Sequence, residues 1–202
     1  MCPGGIIAPA ATSPGEIVVN GWSPSKRNNP FANSGMVVSV EEKDIAFLIK
    51  EFGPLAAMYF QQSVEQKAFQ YGGGQLVAPA QRMVDFAEKK LSPSLPACSY
   101  LPGIRSTPLD EVLPGFIYHA LAKALKEFGK KMRGYYTNDA LVVATESRTS
   151  SPVRIPRNPD SLQHPVIKQL YPCGEGAGDA GGIVSAAMDG EKVAKAIGLL
   201  IK

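Results

Sequence analysis

The residues best suited to chemistry lie near the end of the 202-residue chain, in a glycine-rich loop that joins a short apolar run to a helical pattern. Glycines allow a ligand to approach the backbone closely, and a helix N-terminus offers unpaired N–H groups and a partial positive charge. A carboxylate in such a loop accepts hydrogen bonds from sugar or ribityl hydroxyls. The pattern therefore predicts a site for an anion and a ribose-like group. The candidate residues are Gly174, Glu175, Gly176, Gly178, Gly181, Gly182 and Ile183.

Known phosphate-binding motifs do not fit this loop. A P-loop requires Lys and then Ser or Thr after its last glycine, whereas Ile183 follows Gly182 here. A Rossmann unit requires a further strand after the helix, and the sequence offers none after this final helical pattern. From the residues alone two interpretations stay open: a ligand-binding loop, or a loop that only packs a helix against a sheet.

Two arginines, Arg148 and Arg154, flank a Thr-Ser-Ser-Pro turn before the loop. Their planar guanidinium groups suit contact with an anionic ligand or substrate. The alternative is a structural loop in which they pair with Glu146. No catalytic residue can be named, and no metal site is predicted because His119 and His164 lie far apart in sequence.

The composition argues against several classes of protein. A formal net charge of +3 with no long basic run disfavours nucleic acid as the main partner. No apolar stretch approaches the ~20 residues that span a bilayer, and the first five residues do not resemble a signal peptide. The 3 cysteines are odd in number and widely spaced, which favours a reducing cytoplasm over a disulfide framework.

Periodicity and turn residues predict mixed helices and strands. Strand patterns cover residues 5–8, 16–20, 35–40, 139–145 and 169–173, and residues 75–78 are a short strand or an extended segment. Helical patterns cover residues 55–69, 80–90, 107–131 and 181–201. In the third of these helices Thr107 is the expected cap, and Pro114 marks a place where the helix begins or kinks.

Four segments of the chain, residues 1–5, 19–27, 146–155 and 171–190, carry a resemblance to a known family. The last segment reads Tyr-Pro-Cys-Gly-Glu-Gly-Ala-Gly-Asp-Ala-Gly-Gly-Ile-Val in its first part. It resembles the C-terminal FAD motif of a bacterial family of uncharacterised FAD-dependent dehydrogenases. The other three segments resemble the same family and occur in its order, so the resemblance covers nearly the whole chain.

The resemblance implies an α/β flavoprotein of glutathione-reductase-like topology. Residues 1–150 are then an inserted α+β domain of the substrate type, and residues 151–202 return as the C-terminal strand–loop–helix of the FAD-binding domain. The implied activity is hydride transfer between a small-molecule substrate and FAD, with NAD(P)H as a candidate partner. The implied cofactor-binding residues are Gly174, Glu175, Gly176, Gly178, Gly181, Gly182, Ile183, Arg148 and Arg154. Among them Glu175 would bind ribityl hydroxyls, and the backbone from Gly181 to Ile183 would face the flavin pyrimidine edge.

The sequence departs from the family pattern in two ways. No Gly-x-Gly-x-x-Gly fingerprint follows an N-terminal strand, so the chain is interpreted as a fragment that lacks the N-terminal portion of the same protein. Alone, it is expected to be inactive and to bind FAD weakly or not at all. Asp179 stands where the family loop carries an aromatic residue, and a carboxylate beside a pyrophosphate is unfavourable, which leaves its orientation open. The alternative function is a non-enzymatic module that binds a nucleotide or an anion through this loop.

Overall fold

A computed structural model describes residues 3–10 and 13–200, and the chain divides into two compact units. Unit 1 comprises Met1–Val40 and Gln61–Ser147, and unit 2 comprises Glu41–Phe60 and Arg148–Lys202. Helices and strands are mixed, so the predicted α/β class is confirmed. The parts of the predictions that fall on residues 1–2, 11–12 and 201–202, including the first two residues of the first family-like segment, lie outside the described residues.

The strands of unit 1 form two small sheets. β1 (Ile6–Pro9) pairs antiparallel with β2 (Val19–Trp22). Two N-terminal strands therefore form as predicted, but β2 overlaps the predicted range 16–20 only at residues 19 and 20. β3 (Ala78–Arg82) is the middle strand of the second sheet. It runs parallel to β4 (Ile104–Ser106) and antiparallel to β5 (Leu141–Val143), and the second sheet is therefore mixed.

The core of unit 1 lies where its long helix packs beside its short ones. This long helix, α5 (Gly115–Lys131), buries Tyr118, Ala122 and Leu125, which share one face because their spacings are four and three residues. Phe86 is fully buried and meets the Tyr118 ring edge-on, with ring centroids 5.1 Å apart. The Tyr118 hydroxyl also donates to the Phe86 carbonyl at 3.0 Å, so this buried polar group has a hydrogen-bond partner in the core. The α-helices are α1 (Ala46–Phe52), α2 (Ala56–Gly72), α3 (Met83–Ala87), α4 (Leu109–Val112), α5 (Gly115–Lys131) and α6 (Ile183–Leu200).

Pro114 divides the predicted helix 107–131 into two, as the sequence indicated. Its ring cannot continue the preceding helix, and it becomes the N-cap of α5. The prediction that Thr107 caps the first part is wrong. Instead, the side-chain oxygen of Gln81, on β3, accepts a hydrogen bond from the Leu109 N–H at 2.8 Å. A residue 28 positions away therefore does what a local cap was expected to do.

Two predicted strands do not form in the described chain. Residues 35–40 and 169–173 are irregular, so the C-terminal strand–loop–helix consists only of its loop and helix. A strand needs a neighbouring strand to pair its backbone groups, and no described strand pairs with either segment. The helix predicted over residues 80–90 is also corrected. Residues 80–82 are the end of β3 instead. All three pair with β5, and Ala80 also pairs with β4, so that only Met83–Ala87 is helical.

Helix α3 is capped by a side chain from a distant part of the chain. Asn138 Oδ1 accepts hydrogen bonds from the N–H groups of Val84 (3.0 Å) and Asp85 (3.3 Å). Asn138 Nδ2 in turn donates to Asp85 Oδ1 at 3.2 Å. The first N–H groups of a helix have no acceptor inside it, so Asn138 satisfies groups that α3 itself leaves unpaired.

We expect Asn138→Ala to lower the free energy of unfolding of the chain by about 1–2 kcal/mol, the usual effect of removing a helix cap. The measurement is the urea midpoint followed by far-ultraviolet circular dichroism. Asn28→Ala is the matched control, because Asn28 is exposed and makes no side-chain hydrogen bond among the described residues. Equal midpoints for the two variants would contradict the capping role.

Candidate functional site

The glycine-rich loop of unit 2 consists of tight turns that run from residue 174 into the start of α6. The Gly178 N–H donates to the Glu175 carbonyl at 2.9 Å, and the Asp179 N–H donates to the Gly174 carbonyl at 3.1 Å. Gly174 and Gly178 have φ angles of 74° and 78°, which lie in the left-handed region. A residue with a Cβ is strained there, so these two glycines are required by the backbone itself.

Residues 151–155 pack directly against this loop. The Ile155 N–H donates to the Ala177 carbonyl at 2.9 Å, and the Ser151 hydroxyl lies within hydrogen-bond distance of the carbonyls of Val153 (2.7 Å) and Gly176 (3.1 Å). A Cβ on Gly178 would lie only 2.7 Å from the carbonyl oxygen of Val153. The predicted turn between Arg148 and Arg154 therefore supports the loop, and Gly178 is fixed by close backbone packing as well as by its φ angle.

An ion pair between Arg157 and Asp189 ties the loop to helix α6. Arg157 Nη1 and Nη2 donate to the two carboxylate oxygens of Asp189 at 2.9 and 2.7 Å. Asp189 Oδ2 also accepts from the Gly174 N–H at 2.9 Å, and Arg157 Nη1 donates to the Pro172 carbonyl at 2.9 Å. The side chains of Arg157 and Asp189 are only 13% and 11% exposed, so solvent screens the pair weakly.

The ion pair shifts the pKa values of Asp189 and Arg157 so that the charged form of each side chain is favoured. The Arg157 hydrogen bonds, with help from the Gly174 N–H, lower the pKa of Asp189 from 3.8 to about 2. The hydrogen bond to Asp189 raises the pKa of Arg157 above its ordinary value. The pair is therefore charged at neutral pH and fixes the start of the loop on both sides.

Asp179 points inward, which answers the question that the sequence left open. Its side chain is 2% exposed, with Arg154 Nη2 at 3.2 Å from Oδ1 and Arg157 Nε at 3.4 Å from Oδ2. Two guanidinium groups thus balance its charge. Asp179 therefore does not direct its carboxylate to the outer side of the loop.

The structure places the predicted site residues in one unit but assigns them different environments. Gly176 and Gly181 face open space, because a Cβ on either would meet no atom within 4 Å. Glu175 is partly buried, and its carboxylate has no ion pair or hydrogen bond within the part of the chain that the structure describes. Arg154 is 75% exposed and pairs with Asp179, not with Glu146 as the structural alternative held. The exposed residue Arg148 is engaged by other groups, while Gly174, Gly178, Gly182 and Ile183 complete the loop and the helix start.

The start of α6 supplies hydrogen-bond donors at the open side of the loop. The first N–H groups of an α-helix have no intrahelical acceptor, and in α6 they belong to the residues around Ile183. Ile183 itself is 91% exposed. An 18-residue helix places a partial positive charge at this end. The loop can therefore bind a negatively charged or electron-rich edge of a ligand through backbone groups.

Sequence reasoning missed Arg157 and Asp189. Arg157 lies in a proline-rich stretch that gave no periodic signal, and Asp189 lies on α6 within the segment that resembles the FAD motif. The one available signal was an acidic residue inside an apolar helical pattern, which indicates a partner of opposite charge. Within residues 3–10 and 13–200, no helix is long and apolar enough to cross a membrane, and no cluster of three metal-ligating side chains occurs.

Gly178→Ala should undock the loop, because the added Cβ combines a left-handed φ with a backbone clash. Hydrogen exchange at the Ile155 amide measures this, since its acceptor is the Ala177 carbonyl. We expect an opening free energy lower by at least about 2 kcal/mol in Gly178→Ala. Gly176→Ala is the matched control and should change it by less than about 0.5 kcal/mol. Equal protection of the Ile155 amide in both variants would contradict the claim that close packing at Gly178 holds the loop in place.

The Asp189 pair gives unit 2 a defined acid sensitivity. Because the pKa of Asp189 is lowered to about 2 in the folded chain from 3.8, the pair stabilises the fold above about pH 4, and this stabilisation is lost as the pH falls towards 2. The Gly174 amide chemical shift should follow this titration with a midpoint near pH 2. Asp189→Asn should remove the titration, and a midpoint at the ordinary value of 3.8 would show that the pair does not form.

Residues 1–149 match the family model described as FAD-dependent protein, C-terminal domain-like. The chain is also 44% identical over 199 residues to an uncharacterized protein of Clostridium beijerinckii. That similarity covers 98% of this chain and 36% of the relative, so the chain spans little more than a third of the length of the curated relative it matches. On this evidence, the chain belongs to the FAD-dependent protein, C-terminal domain-like family.

Proposed function

We propose that this chain is part of a flavin-dependent oxidoreductase, a dehydrogenase, in which unit 2 contributes to the FAD site. The observation that carries the proposal is the ordered glycine-rich loop at the open N-terminus of α6, in a chain of an FAD-dependent family. The proposed cofactor-binding residues of the loop and helix start are Gly174, Glu175, Gly176, Gly178, Gly181, Gly182 and Ile183. Arg148 remains a proposed contact, and Arg154 supports the loop through Asp179.

The described residues fit a flavin in three respects. The open space beside Gly176 and Gly181 is space that a Cβ would fill, so a planar ring or a ribityl chain can approach the backbone there. Glu175 offers a carboxylate that is not engaged elsewhere in the described chain and that suits hydroxyl donors. The second carboxylate of the loop, Asp179, is neutralised by arginines and does not repel an electron-rich ring.

When bound, FAD supplies a ring that accepts and releases hydride equivalents. The residues of this chain bind and tune it. The N–H groups at the start of α6 and the partial positive charge of the helix stabilise negative charge on the adjacent edge of the ring. Glu175 orients the hydroxyl groups of the cofactor. We propose a small-molecule substrate and NAD(P)H as reaction partners, and we assign no general base among the described residues.

The proposed organisation has two parts, a substrate-type domain over residues 1–150 and a returning piece of the FAD-binding domain over residues 151–202. The rest of that domain would come from the N-terminal portion of a longer protein. Two observations support this. The relative is far longer than this chain, and α6 leaves Ile183, Val184 and Met188 exposed at 91%, 72% and 65%. We propose that the N-terminal portion covers this apolar face.

The flavin absorption spectrum of two purified proteins tests the proposal. One is this chain, and the other is the product of its gene with all in-frame sequence that precedes residue 1. We expect the long product to be yellow and this chain to be colourless, because the pyrophosphate and adenosine contacts lie outside the chain. If the long product stays colourless after incubation with FAD, the proposal fails, and the loop should then be tested with other nucleotides and anions.

Variants of the long product test the site itself. Glu175→Gln should weaken FAD binding by about threefold to tenfold, because a charged hydrogen-bond acceptor becomes neutral. Glu191→Gln is the matched control on α6, since Glu191 is exposed and, among the described residues, pairs with Lys195 alone at the surface. The measurement is the dissociation constant from quenching of flavin fluorescence. Equal constants for the two variants would remove Glu175 from the site.

A further inference from the structure

We infer that a cleft in unit 1 binds a small zwitterion, a molecule that carries both a carboxylate and an ammonium group, such as an aliphatic amino acid. The cleft has a volume of about 410 Å³ and lies where the end of α2, strand β4 and the start of α4 meet. That volume is within the ordinary range of small-molecule sites, ~300–1,000 Å³. The inference does not rest on the flavin proposal, because binding in this cleft requires no cofactor.

Arg105, on β4, supplies the positive wall of the cleft. It is exposed, and within the described part of the chain no carboxylate lies within ion-pair distance of it. A Cβ on Gly73 would lie 3.2 Å from Arg105 Nη1, so the absence of a side chain at Gly73 leaves room for the guanidinium group. A guanidinium group with no partner of its own is suited to a bidentate contact with a carboxylate.

Glu111, on α4, supplies the negative wall. Its Oε2 accepts a hydrogen bond from the Tyr71 hydroxyl at 3.0 Å, and no described cation pairs with it. This hydrogen bond raises the pKa of Tyr71, so the phenol keeps its proton and continues to orient the carboxylate. An ammonium group is the natural partner for a carboxylate that is held in place by a neutral donor.

Arg105 and Glu111 line the same cleft but form no ion pair with each other. A ligand in the cleft can therefore meet both charges. A ligand with one charge would leave either Arg105 or Glu111 without a partner, whereas a zwitterion pairs with both. This complementarity selects amino carboxylates over simple acids and simple amines.

The remaining walls of the cleft are fixed and partly apolar. Thr107 is buried, and its hydroxyl lies within hydrogen-bond distance of the carbonyls of Tyr71 (3.3 Å) and Arg105 (3.2 Å), which ties the end of α2 to β4. Leu91 is 62% exposed and lines the cleft together with Pro108. These two side chains offer a surface for the aliphatic part of the ligand.

Four six-carbon probes test the inference by heteronuclear NMR titration of this chain. Norleucine and ε-aminocaproate carry both charges at different spacings, caproate carries only the carboxylate, and hexylamine carries only the ammonium group. We expect at least one of the zwitterions to bind about tenfold more tightly than both singly charged probes, with shifts concentrated at the amides of residues 71–73 and 105–111. Equal affinities for all four probes, or no shifts in these residues, would overturn the inference.

Variants then assign the two walls. Arg105→Gln should weaken binding of the zwitterion and of caproate by about tenfold, and Glu111→Gln should bring the affinity for the zwitterion down to that for caproate. Arg133→Gln is the matched control, an exposed arginine outside the cleft that has no ion pair in the described chain. Far-ultraviolet circular dichroism establishes that each variant is folded. Zwitterion binding by Arg105→Gln that equals binding by Arg133→Gln would refute the assignment.

Discussion

The geometry of the candidate site depends on the ion pair between Arg157 and Asp189. The pair is bidentate and almost buried, and its two side chains also engage the Pro172 carbonyl and the Gly174 N–H. Removing two charges from water is unfavourable unless hydrogen bonds satisfy them, and here each group has several partners. Because the same arginine also lies beside Asp179, one residue fixes the position of the loop and balances its charge.

In this arrangement the two carboxylates of the loop, Asp179 and Glu175, have different roles. Asp179 is turned inward against arginines and becomes part of the support, while Glu175 keeps a carboxylate that no described residue engages. The open side of the loop is left with backbone donors, space beside glycines, and one acceptor for hydroxyl groups. These are the features on which the proposed contact with a flavin and its ribityl chain rests.

Unit 1 relies on side chains that act over long distances in sequence. Helices as short as α3 and α4 are marginal by themselves because nucleation is unfavourable. Asn138, from the segment before β5, accepts from the first N–H groups of α3, and Gln81, on β3, accepts from the first N–H group of α4. The cleft lined by Arg105 and Glu111 lies in the same unit, where the end of α2, strand β4 and the start of α4 meet.

The sequence by itself determined the features that depend on neighbours along the chain. Periodicity located the buried face of α5, strand patterns indicated strands close to β1 and β2, and the glycine pattern located the loop before α6. It could not decide whether residues 78–82 are strand, because that depends on β4 and β5, nor exclude strands at 35–40 and 169–173, which lack neighbours among the described strands. The orientation of Asp179 and the Arg157–Asp189 pair were likewise decided only by tertiary structure. Ion pairs and sheet partners join residues that are remote in sequence, and local patterns carry no information about them.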